Sequence, residues 1–146
     1  MLFRSVVAIA AIAIGVTAAM AQQDPIAARK ALMKNMGAQS GQAAKFLKGE
    51  EPFDLTKAKA LLATIAEDAD KAPGLFPDTS KTGGETAALP AVWEKMDDFK
   101  AHFAKLSADA KAASASVTDE ASFKTAFPNV GKNCGGCHEL YRAKKS

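Results

Sequence analysis

The sequence predicts an all-α protein built as an antiparallel up-down four-helix bundle. Three observations carry that expectation. Apolar residues recur every three or four positions in four separate stretches, the spacing that gathers them on one helix face. No stretch shows the sustained alternation of a half-buried strand. Acidic N-caps, prolines and glycines fall between the stretches, where helices start and stop. Four helices of roughly 20 residues, each about 30 Å long, bury their apolar faces most simply against one another.

The first residues stand apart from this pattern. Arg4 is the only charge in residues 1–23, an apolar run follows from Val6 to Ile14, and small residues end in Ala19-Met20-Ala21. This reads as a secretory signal peptide, residues 1–21, cleaved after Ala21. The alternative is a transmembrane anchor, but no polar stop follows the run other than the cleavage-like residues. Removing 21 of the 146 residues leaves 125, Gln22–Ser146, a length that favours one domain over residues 22–146. Without Arg4 there are 18 basic against 16 acidic residues, a formal charge of +2. That is too small a charge, too evenly spread, to argue for nucleic acid. No membrane span is expected after cleavage.

The first helix is expected over Pro25–Lys48, with Asp24 as cap, Pro25 in the first position and Gly49 at the exit. Ile26, Met33, Met36, Ala43 and Leu47 form its seam, with Arg29 and Ser40 as polar members. The second runs from the cap Asp54 to Ala72, on a seam of Ala58, Leu62, Ile65 and Ala69. A connection over residues 73–89 follows, rich in proline and glycine, whose Leu75-Phe76 pair is too apolar for a free linker.

The third helix is expected over Pro90–Ala113. Val92, Met96, Phe99, Phe103, Leu106 and Ala110 step by 4, 3, 4, 3 and 4, the seam of a bundle helix. The fourth begins after Thr118 as cap. Phe123, Phe127, Val130, Cys134, Cys137 and Tyr141 repeat the same steps. Pro128 interrupts it, and the preserved phase of the seam argues for a kink rather than a break.

Both cysteines of the chain fall in Cys134-Gly-Gly-Cys137-His138. In C-x-x-C-H the thiols add across the haem vinyl groups and the histidine coordinates iron. Residues i, i+3 and i+4 share a helix face, so one porphyrin edge and its metal can be held from one side. The competing readings are two small core residues, a thioredoxin-like pair, which wants a βαβ setting, and zinc, which wants four ligands. Export and the helical context favour one covalent haem c per chain. The other histidine, His102, shares a stripe with Lys95, Asp98, Lys105 and Asp109 and is expected to face solvent.

In an up-down bundle the start of the first helix lies beside the end of the last. Met33 stands about 12 Å along its helix from Pro25, and His138 about 9 Å from the same end. Met33 is therefore a candidate sixth ligand, since a His/Met pair suits electron transfer; otherwise it fills the distal side as an apolar side chain. Met36, one turn higher, is weaker, and Met96 stands at a comparable height. Arg29, a charge on a buried stripe, wants a partner, either a haem propionate or water reached by snorkelling. Trp93, at the same end, packs on the haem or belongs to the core.

With these residues in place the chain resembles the class II c-type cytochromes, the cytochrome c′ family. Besides the haem motif, the resemblance rests on Arg29-Lys-Ala-Leu-Met33-Lys, Lys48-Gly-Glu, Leu75-Phe-Pro, Pro90-Ala-Val-Trp93 and Tyr141-Arg142. It implies His138 as proximal ligand, Cys134 and Cys137 as thioether anchors, residue 33 on the distal side and Arg29 near the propionates. One branch of the family is high-spin and five-coordinate and binds nitric oxide or carbon monoxide. In the other, low-spin branch a first-helix methionine completes the coordination. Homodimers through the first two helices are common.

The expected function is one-electron transfer in the periplasm, with a periplasmic redox partner protein. The alternative is binding of nitric oxide or carbon monoxide at an open distal site. An enzymatic role is not expected, because the distal seam offers only Arg29 and Ser40 where a peroxidase needs an acid–base group. Lys132, Arg142, Lys144 and Lys145 could dock an acidic partner, or simply complement the dipole of a solvated helix end.

Overall fold

The computed structural model describes residues 24–144; the expected signal segment, residues 1–21, lies outside them. Five α-helices follow one another: α1 (Pro25–Lys48), α2 (Leu55–Lys71), α3 (Ala91–Glu94), α4 (Met96–Ser116) and α5 (Glu120–Tyr141). The four long ones pack as an antiparallel bundle, with α2 against α1 and α4, and α5 against α4 and α1. Among the described residues no helix is long and apolar enough to cross a membrane.

The ends of the helices follow from local chemistry. The Asp24 carboxylate accepts from the Ile26 amide at 2.9 Å, with Pro25 in the first turn, where its missing N–H costs nothing. At the other end of α1, Gly49 adopts φ 71°. The Gly49 and Glu50 amides return to the carbonyls of Phe46 and Lys45, at 3.2 and 2.9 Å, a Schellman closure that a side chain at Gly49 would strain. Asp54 caps α2 through the Lys57 amide at 3.0 Å.

The cap of α5 is Asp119 rather than the expected Thr118. The Asp119 carboxylate accepts from the Ser122 amide at 2.8 Å, and the Asp119 amide donates to Ser122 Oγ at 3.0 Å. A carboxylate one residue nearer the helix, with a serine three positions on to answer it, satisfies two end amides together. The helix runs on through Pro128.

The expected third helix is two. Lys95, at φ −127° and ψ 46°, separates the single turn α3 from α4. The sequence shows one unbroken phase there, but the first turn answers to different neighbours. Leu89, just before it, donates its amide to the Tyr141 carbonyl at 2.9 Å, and Trp93 Nε1 donates to the Phe76 carbonyl at 3.0 Å. The seam of α1 also shifts slightly, with Phe46 buried in place of Leu47, as expected when 3.6 residues per turn drift against a heptad.

The two ends of the bundle are packed differently. Where α1 ends and α5 begins, Phe46, Phe53, Phe123 and Phe127 form a continuous aromatic cluster with centroids 5.4 to 6.1 Å apart. Phe46 and Phe123 are fully buried. At the opposite end the bundle is hollow. Phe123→Ala should therefore cost about 3–5 kcal/mol, read as a fall in the thermal midpoint of the haem-loaded protein, with its visible spectrum unchanged.

Candidate functional site

Two adjoining cavities open at the hollow end. The smaller, of about 200 Å³, is walled by Met33 and Met36 of α1, His102, Phe103 and Leu106 of α4, and Cys134, Cys137 and His138 of α5. The larger, of about 480 Å³, lies between Arg29 and Met33 of α1, the 86–88 segment, Val92, Phe99, His138 and Tyr141 of α5, and Arg142 just after it. Met33, Gly37, Cys137 and His138 border both. The three α5 residues reach them because a helix brings positions i, i+3 and i+4 to one side.

Both thiols are free and half-buried. Burial pushes the Cys134 thiol up. It pushes Cys137 up to about 11, with the neighbouring Cys134 and then Asp98 adding to the effect. Both are therefore protonated at neutral pH. Burial, and then the positive charge of Arg142, hold His138 below the ordinary histidine value, which keeps a neutral ring nitrogen free to bind a metal.

Two thiols and a neutral imidazole on one face, beside a largely apolar hollow, are the donor set that haem c requires. Zinc would need further ligands, and among the described residues no three His, Cys, Asp or Glu side chains converge on one point. A thioredoxin-like setting would need a βαβ unit, which the helical chain does not form in its described part.

Arg29 is the best-connected side chain here. It is 4% exposed. Nη1 donates to Ser80 Oγ at 2.7 Å and to the Leu75 carbonyl at 3.3 Å; Nη2 donates to the Ser80 carbonyl at 2.9 Å and to Thr86 Oγ1 at 2.5 Å. Its guanidinium also lies 4.7 Å from the Phe76 ring centre and 5.7 Å from that of Trp93, within cation–π range. Burial lowers its pKa, partly offset by Asp24. An arginine nevertheless keeps its charge in a protein, and the loop oxygens answer it. The expected alternatives were a propionate or snorkelling to water; the connection between α2 and α3 is a third partner that residue spacing did not reveal.

His102 corrects the sequence reading. Its side chain is 27% exposed, on the wall of the smaller cavity rather than on an open face. Its ring stands 5.7 Å from that of Tyr141, and Nε2 lies 3.6 Å from Asp98 Oδ2. The polar stripe on which it falls borders α5, so the stripe turns inward at this end. Tyr141 is buried, rests on Phe99 at 5.1 Å and donates its hydroxyl to Asp98. That bond, with burial behind it, holds the phenol up at about 12.

Trp93 lines neither of the two cavities. Its ring packs on Phe76 at 6.2 Å, and its indole N–H fastens the loop. Met96 is likewise packed against the core and absent from both walls. Met36 is buried beneath the smaller cavity only. Sequence reasoning missed Phe76, Phe99 and the 86–88 segment as cavity walls. Only the Leu75-Phe76 pair, too apolar for a free linker, hinted at that layer.

Comparison with known proteins identifies the family. The chain matches the family model described as Cytochrome C' over residues 24–142. It is 51% identical over 128 residues to a cytochrome c′ of Rhodopseudomonas palustris, covering 88% of each chain. It is 47% identical over 118 residues to a cytochrome c-556 of Agrobacterium fabrum, covering 80% of each. The solved structure of cytochrome c′ from Rhodopseudomonas palustris superposes with a TM-score of 0.83 at 50% identity, covering 86% of this chain and 100% of that one.

The Arg29 cluster makes a direct prediction. Arg29→Leu removes the guanidinium from the Ser80 hydroxyl and carbonyl and from the Thr86 hydroxyl, at a cost of about 2–3 kcal/mol. Limited proteolysis should then cut within residues 72–89 well before the bundle itself opens.

Proposed function

The chain belongs to the cytochrome c′ family and is a monohaem c-type cytochrome, and from that premise we propose that it is a one-electron carrier of the periplasm. In this reading Cys134 and Cys137 hold haem c by thioether bonds and the His138 imidazole binds the iron. Haem c supplies an Fe(III)/Fe(II) couple. The chain's own residues set how that couple behaves.

The observation that supports electron transfer is Met33. It borders both cavities from α1, as Cys137 and His138 do from α5. Its thioether is soft, uncharged and half-buried. As a sixth ligand it would favour the ferrous state and raise the potential. Met36, Phe103 and Leu106 make the wall beside it apolar. Arg29 turns its guanidinium to the loop, and Ser40 Oγ donates back to the Met36 carbonyl at 3.0 Å. Neither is presented as an acid–base group.

Exposed Lys132, Arg142 and Lys144 favour an acidic redox partner. Pairing of two chains through α1 and α2 is expected on family grounds. The second reading is binding of nitric oxide or carbon monoxide, and the apolar walls of the smaller cavity favour it. A neutral diatomic enters such a space more readily than water or an anion.

The test is the visible spectrum of the purified protein, oxidised and reduced, for wild type and Met33→Leu. Electron transfer through a His/Met centre predicts a low-spin wild type that turns high-spin in the variant, with a lowered potential. A high-spin spectrum in both would put gas binding first. Cys134→Ser with Cys137→Ser should release the haem to acidic organic solvent, whereas wild type keeps it in the protein phase.

A further inference from the structure

The four residues common to both cavities form two pairs. Cys137 and His138 come from α5, and Met33 and Gly37 face them from α1. The two α1 positions lie one turn apart on the same side of the helix, but they are not alike. Met33 is half-buried and presents a side chain; Gly37 is exposed and presents none. A Cβ placed on Gly37 would meet no protein atom within 4 Å beyond its own stretch of helix, and the same holds at Gly41 one turn on. The wall opposite His138 therefore consists of a side chain, Met33, beside a helix position, Gly37, that carries none.

We infer that the gap at Gly37 is the route by which a small neutral ligand reaches the iron face opposite His138, and that the missing side chain sets the rate of entry. This rests on the proposed site, with the cofactor held from α5, but not on whether Met33 binds iron. No carbonyl or charge needs to move to open the route, because a helix satisfies its own backbone. The route therefore discriminates by size and polarity: a diatomic passes, and a hydrated anion would have to shed its water against apolar walls. The side chain at position 37 controls how fast the face is reached, and Met33 controls what is found there.

The experiment uses the haem-loaded protein in the Met33→Leu background, with Gly37→Ala, Gly37→Val and Gly37→Leu added. Alanine in place of an exposed helical glycine favours the helix, so the series does not begin by endangering the fold. Carbon monoxide binding to the reduced protein is followed by flash photolysis for association and by ligand exchange for dissociation. An entry route predicts that both rates fall together as the side chain grows, by about tenfold at leucine, equivalent to about 1.4 kcal/mol of barrier. The affinity should be unchanged. Unaltered rates across the series would place the entry elsewhere and overturn the inference. So would a loss of affinity at a constant association rate, or a shifted spectrum in Gly37→Ala before any ligand is added, since either makes position 37 a contact of the bound groups. The spectrum of Met33→Leu alone reports on the sixth ligand, so that reading can fail while the gap at Gly37 stands.

Discussion

A guanidinium taken out of water must find acceptors, and at Arg29 that requirement organises the hollow end of the molecule. The charge stands on the inner face of α1, where neighbouring helices have little to offer it. The connection between α2 and α3 comes to it instead, giving the Ser80 hydroxyl and carbonyl and the Thr86 hydroxyl. Once those are fixed, the rest of the connection has little freedom. Phe76 is laid beneath the guanidinium, and Trp93 fastens the Phe76 carbonyl. The strand-like pairing of Ala88 with Arg142 ties the segment to the end of α5. One wall of the larger cavity is thus a loop made rigid by a single buried charge.

This bears on how a bundle keeps a cavity open. Helices with alternating apolar seams close on one another unless something stops them, because filling space gains both burial and dispersion. At the far end nothing stops them, and Phe46, Phe53 and Phe123 fill the centre. Toward the near end α5 places Cys134 and Cys137 on its seam, α1 supplies Gly37, and the Arg29-bound loop holds α3 in place. Position along the axis therefore separates stability from function. α2, whose buried residues are mostly alanine, leucine and isoleucine, takes no part in either cavity wall.

Much of this was legible in the residue order. The steps of 4 and 3 through Phe123, Phe127, Val130, Cys134, Cys137 and Tyr141 put the haem motif on the inner face of a helix, and the structure has it there. The height of Met33 followed from rise per residue, and Met33 does border the cavity with His138. His102 was not legible. A stripe of lysine and aspartate gives a helical phase, but which side of that phase meets a neighbour depends on where α5 ends. Lys95 was not legible either, because a periodic seam carries no record of a local break caused by Trp93 and Leu89 bonding elsewhere. The partners of Arg29 lie 46 to 57 residues away, beyond any pattern of spacing.

The sequence by itself determined what is set within one helix or one turn: the four seams, the caps at Asp24 and Asp54, and the thiol–thiol–imidazole face of α5. Each depends on bonds and rotations among residues a few positions apart, whose geometry the backbone dictates. Only the tertiary structure decided what depends on distant segments meeting: the acceptors around Arg29, the inward turn of His102 against Tyr141, and the meeting of both cavities at Met33, Gly37, Cys137 and His138. Those are decided by which surfaces lie opposite once the helices have packed, and neighbours along the chain do not carry that information.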